Sequence, residues 1–147
     1  MKNLILLLVI AGFSTLAQAQ ELKVTDLPEA VVAAFTKTNP LTNPVVWSKD
    51  GSNFEAVYTA DEIEKSICYD AAGTVVETKM QIPVASLPQG MMDYMTINHK
   101  ENVMKKASKI TDAKGIVTYE TEVNGQWLIF DANGSYIKSV EELVLSN

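Results

Sequence analysis

The sequence predicts an α+β protein, a tandem repeat of two units that each fold as one helix followed by a four-stranded antiparallel sheet. Three observations predict it. A Leu-Pro element recurs at an offset of 60 residues, as Asp26-Leu27-Pro28-Glu29 and Ser86-Leu87-Pro88-Gln89. A second element recurs at an offset of 61, as Ile67-Cys68-Tyr69-Asp70-Ala71-Ala72-Gly73 and Leu128-Ile129-Phe130-Asp131-Ala132-Asn133-Gly134. Between the turn signals, the remaining runs alternate or are rich in β-branched and aromatic residues, as strands are.

Taken in order, residues 1–19 read as a secretory signal: Lys2 is the positive start, Leu4 to Phe13 the apolar run, and Ala17-Gln18-Ala19 a small-x-small cleavage site. The run is shorter than the ~20 residues that a membrane-crossing helix needs, and no later stretch is uniformly apolar, so no membrane insertion of the mature chain is expected. Cys68 is the only cysteine, which leaves no lipid-anchor site beside Ala19 and no partner for an internal disulfide. The expected location is the periplasm or the medium. The first unit is then 20–82 and the second 83–147.

Each Leu-Pro element has the grammar of a helix start. Asp26 and Ser86 are the expected caps, with proline in the first turn and Glu29 or Gln89 three residues after the cap. Val31, Ala34 and Phe35 fall on one helical face, and Met91, Tyr94 and Met95 take the same relative positions. Asn39-Pro40 should stop the first helix, because proline disfavours helical geometry in the residue before it. The second helix lacks that stop, and Gly90 weakens its start.

In the first unit, strands are expected over Val45 to Lys49, Phe54 to Thr59, Lys65 to Tyr69 and Thr74 to Lys79. In the second they run from Val103 to Ile110, Ile116 to Val123, Gln126 to Phe130 and Ser135 to Glu142. Asp-Ala-x-Gly at 70 and 131 reads as a tight hairpin, since aspartate bonds its own backbone and glycine accepts positive φ. Asp50-Gly51, Asp112-Ala113-Lys114-Gly115 and Asn124-Gly125 are further turn signals. Ala60-Asp61-Glu62-Ile63-Glu64 has no counterpart and reads as a four-residue insertion in a hairpin loop. A lone helix-on-sheet unit leaves apolar surface bare, so the two units should share a core or a continuous sheet.

This pattern resembles the beta-lactamase-inhibitor-like, PepSY-like family of exported bacterial proteins. The residues that carry the resemblance are the signal, the Leu-Pro starts at 27 and 87, the Tyr119-Glu120-Thr121-Glu122-Val123 strand, and the Asp131-Ala132-Asn133-Gly134-Ser135-Tyr136-Ile137 hairpin. The resemblance implies a sheet-and-helix tandem repeat like that of the secreted beta-lactamase inhibitor protein. It does not imply inhibition of a beta-lactamase.

The chemistry in the chain is sparse. The 147 residues carry a formal charge of −6, which becomes −7 once the signal and its single lysine are removed, so nucleic acid is not an expected partner. All basic residues are lysines, and the planar fork of arginine is absent. His99 is the only histidine and is expected at a helix C-terminus. Cys68 reads as a small buried thiol, and a Cys68–His99 nucleophilic pair would need the fold to bring the two together. Asp61-Glu62-Ile63-Glu64 lacks the alternating oxygen ligands of a calcium loop and reads as a solvated tip. Lys105, Lys106 and Lys109 read as edge-strand protection, and Met91, Met92 and Met95 as core.

No cofactor, metal site or catalytic constellation is read. The expected function is a non-enzymatic binding module that engages a protein or peptide through a sheet face or its loops, with inhibition of that partner left open. Trp127, Ile129 and Tyr136 are the candidate contact residues, Trp127 as an exposed aromatic on the face away from the helices. The alternative is a periplasmic small-molecule carrier with a cleft between the two units.

Overall fold

The computed structural model describes residues 21–40 and 44–141. The expected signal at 1–19 and the expected strand end at Glu142 lie outside the described residues. The chain order is β1 (Glu21–Leu22), α1 (Glu29–Thr38), β2 (Val45–Asp50), β3 (Asn53–Ala60), β4 (Ile63–Tyr69), β5 (Val75–Gln81), α2 (Gln89–Asn98), β6 (Ala107–Asp112), β7 (Val117–Val123), β8 (Gln126–Asp131) and β9 (Tyr136–Glu141). All nine strands form one antiparallel sheet in sequence order. Nothing in the sequence announced β1, which is two residues long and pairs only with Trp47 and Ser48. The seam in the middle is an ordinary ladder, β5 against β6, from Glu77 opposite Asp112 to Gln81 opposite Ser108.

The helices begin two residues later than their expected caps. Asp26 and Ser86 end short 3-10 turns (Val24–Asp26 and Val84–Ser86), and the N-caps are Pro28 and Pro88, with no side-chain cap at either helix. The prolines account for this, because the residue before a proline is pushed out of helical geometry. Leu27 and Leu87 are accordingly extended (ψ 148° at both), and their side chains turn down into the core. Helix α1 stops at Thr38 ahead of Pro40, and α2 stops after the same ten residues with His99 as its C-cap and no proline to enforce it.

Each helix buries its stripe on its own cluster. Leu27, Val31 and Phe35 pack on Trp47, Ala56, Tyr58 and Tyr69; Leu87, Met91 and Met95 pack on Ala107, Val123, Leu128 and Phe130. In the first cluster Phe35 meets Trp47 and Tyr58 edge-on, with centroids 5.2 and 5.4 Å apart. In the second, Tyr94 meets Phe130 edge-on at 5.3 Å and lies flat on Tyr136 at 4.8 Å. Cross-strand partners share a face of a sheet, so the register puts both clusters, and hence both helices, on the same side.

Two β-bulges fix how the hairpins meet the helices, at Cys68/Tyr69 and at Ile129/Phe130. Directly after each, an aspartate closes the turn: Asp70 Oδ1 accepts the N–H groups of Ala72 and Thr74, and Asp131 Oδ1 those of Asn133 and Ser135, all at 2.9 Å. The glycines that follow sit on the helix starts. A Cβ on Gly73 would lie 2.5 Å from the Ala30 carbonyl oxygen, and one on Gly134 2.7 Å from the Met91 nitrogen. Gly90 is explained from the other side of the same contact, since a Cβ there would lie 2.8 Å from the Asn133 carbonyl oxygen.

The segment read as a loop insertion is strand instead. Asp61 and Glu62 alone form the turn, at φ 56° and 63°, and Ile63 already belongs to β4. From the aligned pairs Phe54–Tyr69 and Tyr119–Phe130, the β3–β4 arms run two residues further on each side than those of β7–β8 before their turns. The four extra residues lengthen the ladder. The lysine reading fails for a different reason: β6 lies between β5 and β7, so Lys109 is central, and Lys105 and Lys106 precede the strand.

Candidate functional site

The face of the sheet away from the helices is built of rows that cross the strands. One row runs Ser48, Glu55, Cys68, Glu77, Asp112; the next runs Val57, Ser66, Lys79, Ile110, Thr118; a third runs Gln81, Ser108, Glu120, Ile129, Lys138. Trp127 stands beside the third row, opposite Glu122 on one side and Val140 on the other. Neighbouring strands are ~4.8 Å apart, so side chains two strands apart still meet when they are long.

At the centre, Lys79 from β5 reaches diagonally over β6 and pairs with Glu120 of β7. Both are out of water, with side chains 1% and 2% exposed. The Lys79 ammonium also lies 5.4 Å from the Trp127 ring centroid, within cation–π range. Burial pulls the lysine below its usual range and pushes Glu120 above the usual carboxylate range, and each is held back by the charge of the other. Ser48, Ser66, Ser108 and Thr118, short polar side chains, are buried around the pair.

A half-buried acidic row flanks this centre. Burial raises the Glu77 carboxyl to about 7, helped by the charges of Glu120, Glu55 and Asp50 and opposed by Lys79. Burial also raises Glu55, against a hydrogen bond with Ser66 and the charge of Lys79. Cys68 stands between the two carboxylates in register, and burial together with Glu55, Asp50 and Glu77 pushes its thiol up to about 12. At neutral pH it is a thiol, the unreactive form. His99 is at the end of α2 beside Tyr94, ring centroids 5.8 Å apart, on the helix side of the sheet. The fold therefore separates Cys68 from His99. Among the described residues no group of three or more His, Cys, Asp or Glu is placed to hold a metal ion.

The three candidate contact residues are not together. Trp127 and Ile129 lie on the face away from the helices, as their alternation with Leu128 and Phe130 implies, whereas Tyr136 pairs with Phe130 and stacks on Tyr94 on the helix side. Trp127 is 6% exposed and Ile129 fully buried, so they do not form an exposed aromatic patch. The Trp127 indole N–H is nonetheless left without an acceptor, as is Glu120 Oε1 without a hydrogen-bond donor beyond its ion pair. Sequence reasoning missed Lys79, Glu120, Glu55 and Glu77. For Glu55 and Glu120 the one signal was parity, since they alternate with the cluster residues Phe54, Ala56 and Tyr119, whereas Glu77 and Lys79 flank the exposed Thr78 and had no such signal.

No protein-family profile and no curated protein sequence matches this chain. Solved structures do. A protein provisionally assigned to the periplasm of Bacteroides eggerthii superposes with a TM-score of 0.71 at 12% identity, covering 78% of this chain and 88% of that one. A DUF2874 family protein from Bacteroides uniformis gives 0.68 at 17% identity, with the same coverage of 78% and 88%. A BLIP-like protein from Bacteroides fragilis gives 0.61 at 17% identity, covering 82% and 90%. The likeness is one of fold, and the fold is BLIP-like. Among the described residues no helix is long and apolar enough to cross a membrane.

Proposed function

We propose that this is an exported, non-catalytic binding protein that takes a segment of a protein or peptide on the sheet face away from the helices. The observation that carries the reading is the Trp127 N–H, buried on that face without an acceptor. An unmet buried donor costs ~1–3 kcal/mol, and a ligand carbonyl admitted by a shift of the Lys79 side chain that lies over the ring would relieve it. The signal-like start and the superposition on a protein provisionally assigned to the periplasm support export. The BLIP-like neighbour supports the finer reading that occupying a partner in this way inhibits it.

The chain is further read as a tandem repeat, 20–82 and 83–147, of the PepSY-like kind. The support is the repeated placement of Leu27/Leu87, Val31/Met91, Phe35/Met95 and Gly73/Gly134. The carrier alternative finds no favouring observation, because the seam between the halves is a main-chain ladder.

Affinity capture from envelope extract tests the reading. Wild-type protein should recover a specific protein, and Trp127→Phe, which keeps ring bulk and lacks the N–H, should lose it. Recovery of nothing specific by wild type, or equal recovery by the variant, overturns it.

A further inference from the structure

The carboxylates of the sheet are sorted by face. Every Asp and Glu of strands β1 to β8 has the parity of the face away from the helices, from Glu21 opposite Ser48 to Asp131 opposite Thr118. Lys49, Lys65 and Lys109 have the opposite parity, and Lys79 and Lys138 share the acidic face. Glu77 and Asp112 even stand directly across from one another, an arrangement of like charges that weakens a sheet. Folding explains three of these acids, since Asp112 and Asp131 close their own turns and Glu120 pairs with Lys79, but Glu55 and Glu77 stand in mid-strand and close no turn.

We infer that the segment bound by this face is cationic, presenting a lysine or arginine to Glu55 and Glu77 while one of its carbonyls accepts the Trp127 N–H. The inference rests on the binding reading above and adds the chemistry of the partner. Two independent features point the same way. The row Ser48, Glu55, Cys68, Glu77, Asp112 contains no lysine, the neighbouring Lys79 being paired with Glu120, and the buried indole N–H calls for an acceptor, which a peptide main chain supplies at regular spacing. The groups facing Glu55 and Glu77 from the packed strands are Asp50, Cys68, Lys79, Asp112 and Glu120. Four of those five are acids or a neutral thiol, so an incoming ammonium or guanidinium meets net attraction.

Selection of a phage-displayed random heptapeptide library on the purified protein tests this. Peptides enriched in lysine and arginine are expected. Calorimetry on the tightest of them should give ~10-fold or more weaker binding by Glu55→Gln/Glu77→Gln, and by Glu77→Gln alone a smaller loss in the same direction. Asp61→Asn/Glu62→Gln removes the same charge at the hairpin turn and should change affinity less than ~2-fold. Selected peptides without basic enrichment, or equal losses in both double variants, overturn the cationic assignment while leaving peptide binding in place. Failure to select any peptide removes the binding reading and the inference with it.

Discussion

Lys79→Met is the most informative single change in the sheet. The ammonium and the Glu120 carboxylate are 1% and 2% exposed, so neither is rehydrated when the other is removed. Breaking a buried pair from one side costs ~3–5 kcal/mol, because an uncompensated charge stays behind. In urea, with a slope of ~2 kcal/mol per M, that moves the unfolding midpoint down by ~2 M. The cost should also depend on pH. Without Lys79 the Glu120 carboxyl, already raised by burial, rises further. A carboxyl raised in the folded state contributes stability that is present below its unfolded value and lost as pH rises toward the folded one. Lys79→Met should therefore sit near wild type at pH 5 and show its full loss at pH 8. Lys79→Met/Glu120→Met, which leaves no charge, should return to wild-type stability or exceed it. A loss under ~1 kcal/mol at pH 8, or equal losses at pH 5 and pH 8, would refute the reasoning.

Glu77, raised from 4.5 to about 7, should make the wild-type protein lose stability as pH climbs through that window. The shift corresponds to ~3 kcal/mol, which partial exposure screens to ~1–2 kcal/mol, and thermal melts of Glu77→Gln should be flatter across those pH values. Gly73→Ala and Gly115→Ala put a side chain at nearly the same φ, +79° and +80°, yet only at Gly73 does the Cβ meet backbone. Denaturation should give a loss of ~1 kcal/mol at Gly115 and more than ~2 kcal/mol at Gly73, and equal losses would contradict the close hairpin-to-helix contact. Cys68, with its thiol pushed up to about 12, should resist iodoacetamide at pH 8 in the folded protein and react once urea unfolds it, as followed by mass spectrometry.

What the sequence could reveal was what neighbouring residues decide among themselves. The Asp70 and Asp131 turns, the Asn124-Gly125 turn and the apolar stripes of both helices depend on residues a few positions apart. At Asp26 and Ser86 two local rules compete, and the proline's exclusion of helix before it wins over capping. Strand β6 starts four residues later than expected, since Val103 has strand character but the ladder begins only at Ala107, opposite Thr121 of β7, and at Ser108, opposite Gln81 of β5. The central ion pair was invisible, because Lys79 and Glu120 meet only through a register that three strands fix together. Parity alone places Trp127 on the outer face, but that it is buried there, with the Lys79 ammonium over its ring, is decided by a residue three strands away.

The β5–β6 seam has a consequence for how the molecule can come apart. Cutting the chain after Gln81 would not release two small proteins, because each fragment would keep its helix and its apolar cluster but gain a raw edge of unanswered amide and carbonyl groups. Such edges seek any strand that fits, and the best fit available is the missing half. Fragments expressed separately should thus aggregate alone and reconstitute when mixed, and the intact chain should melt in one transition, its two clusters yoked by a shared backbone lattice.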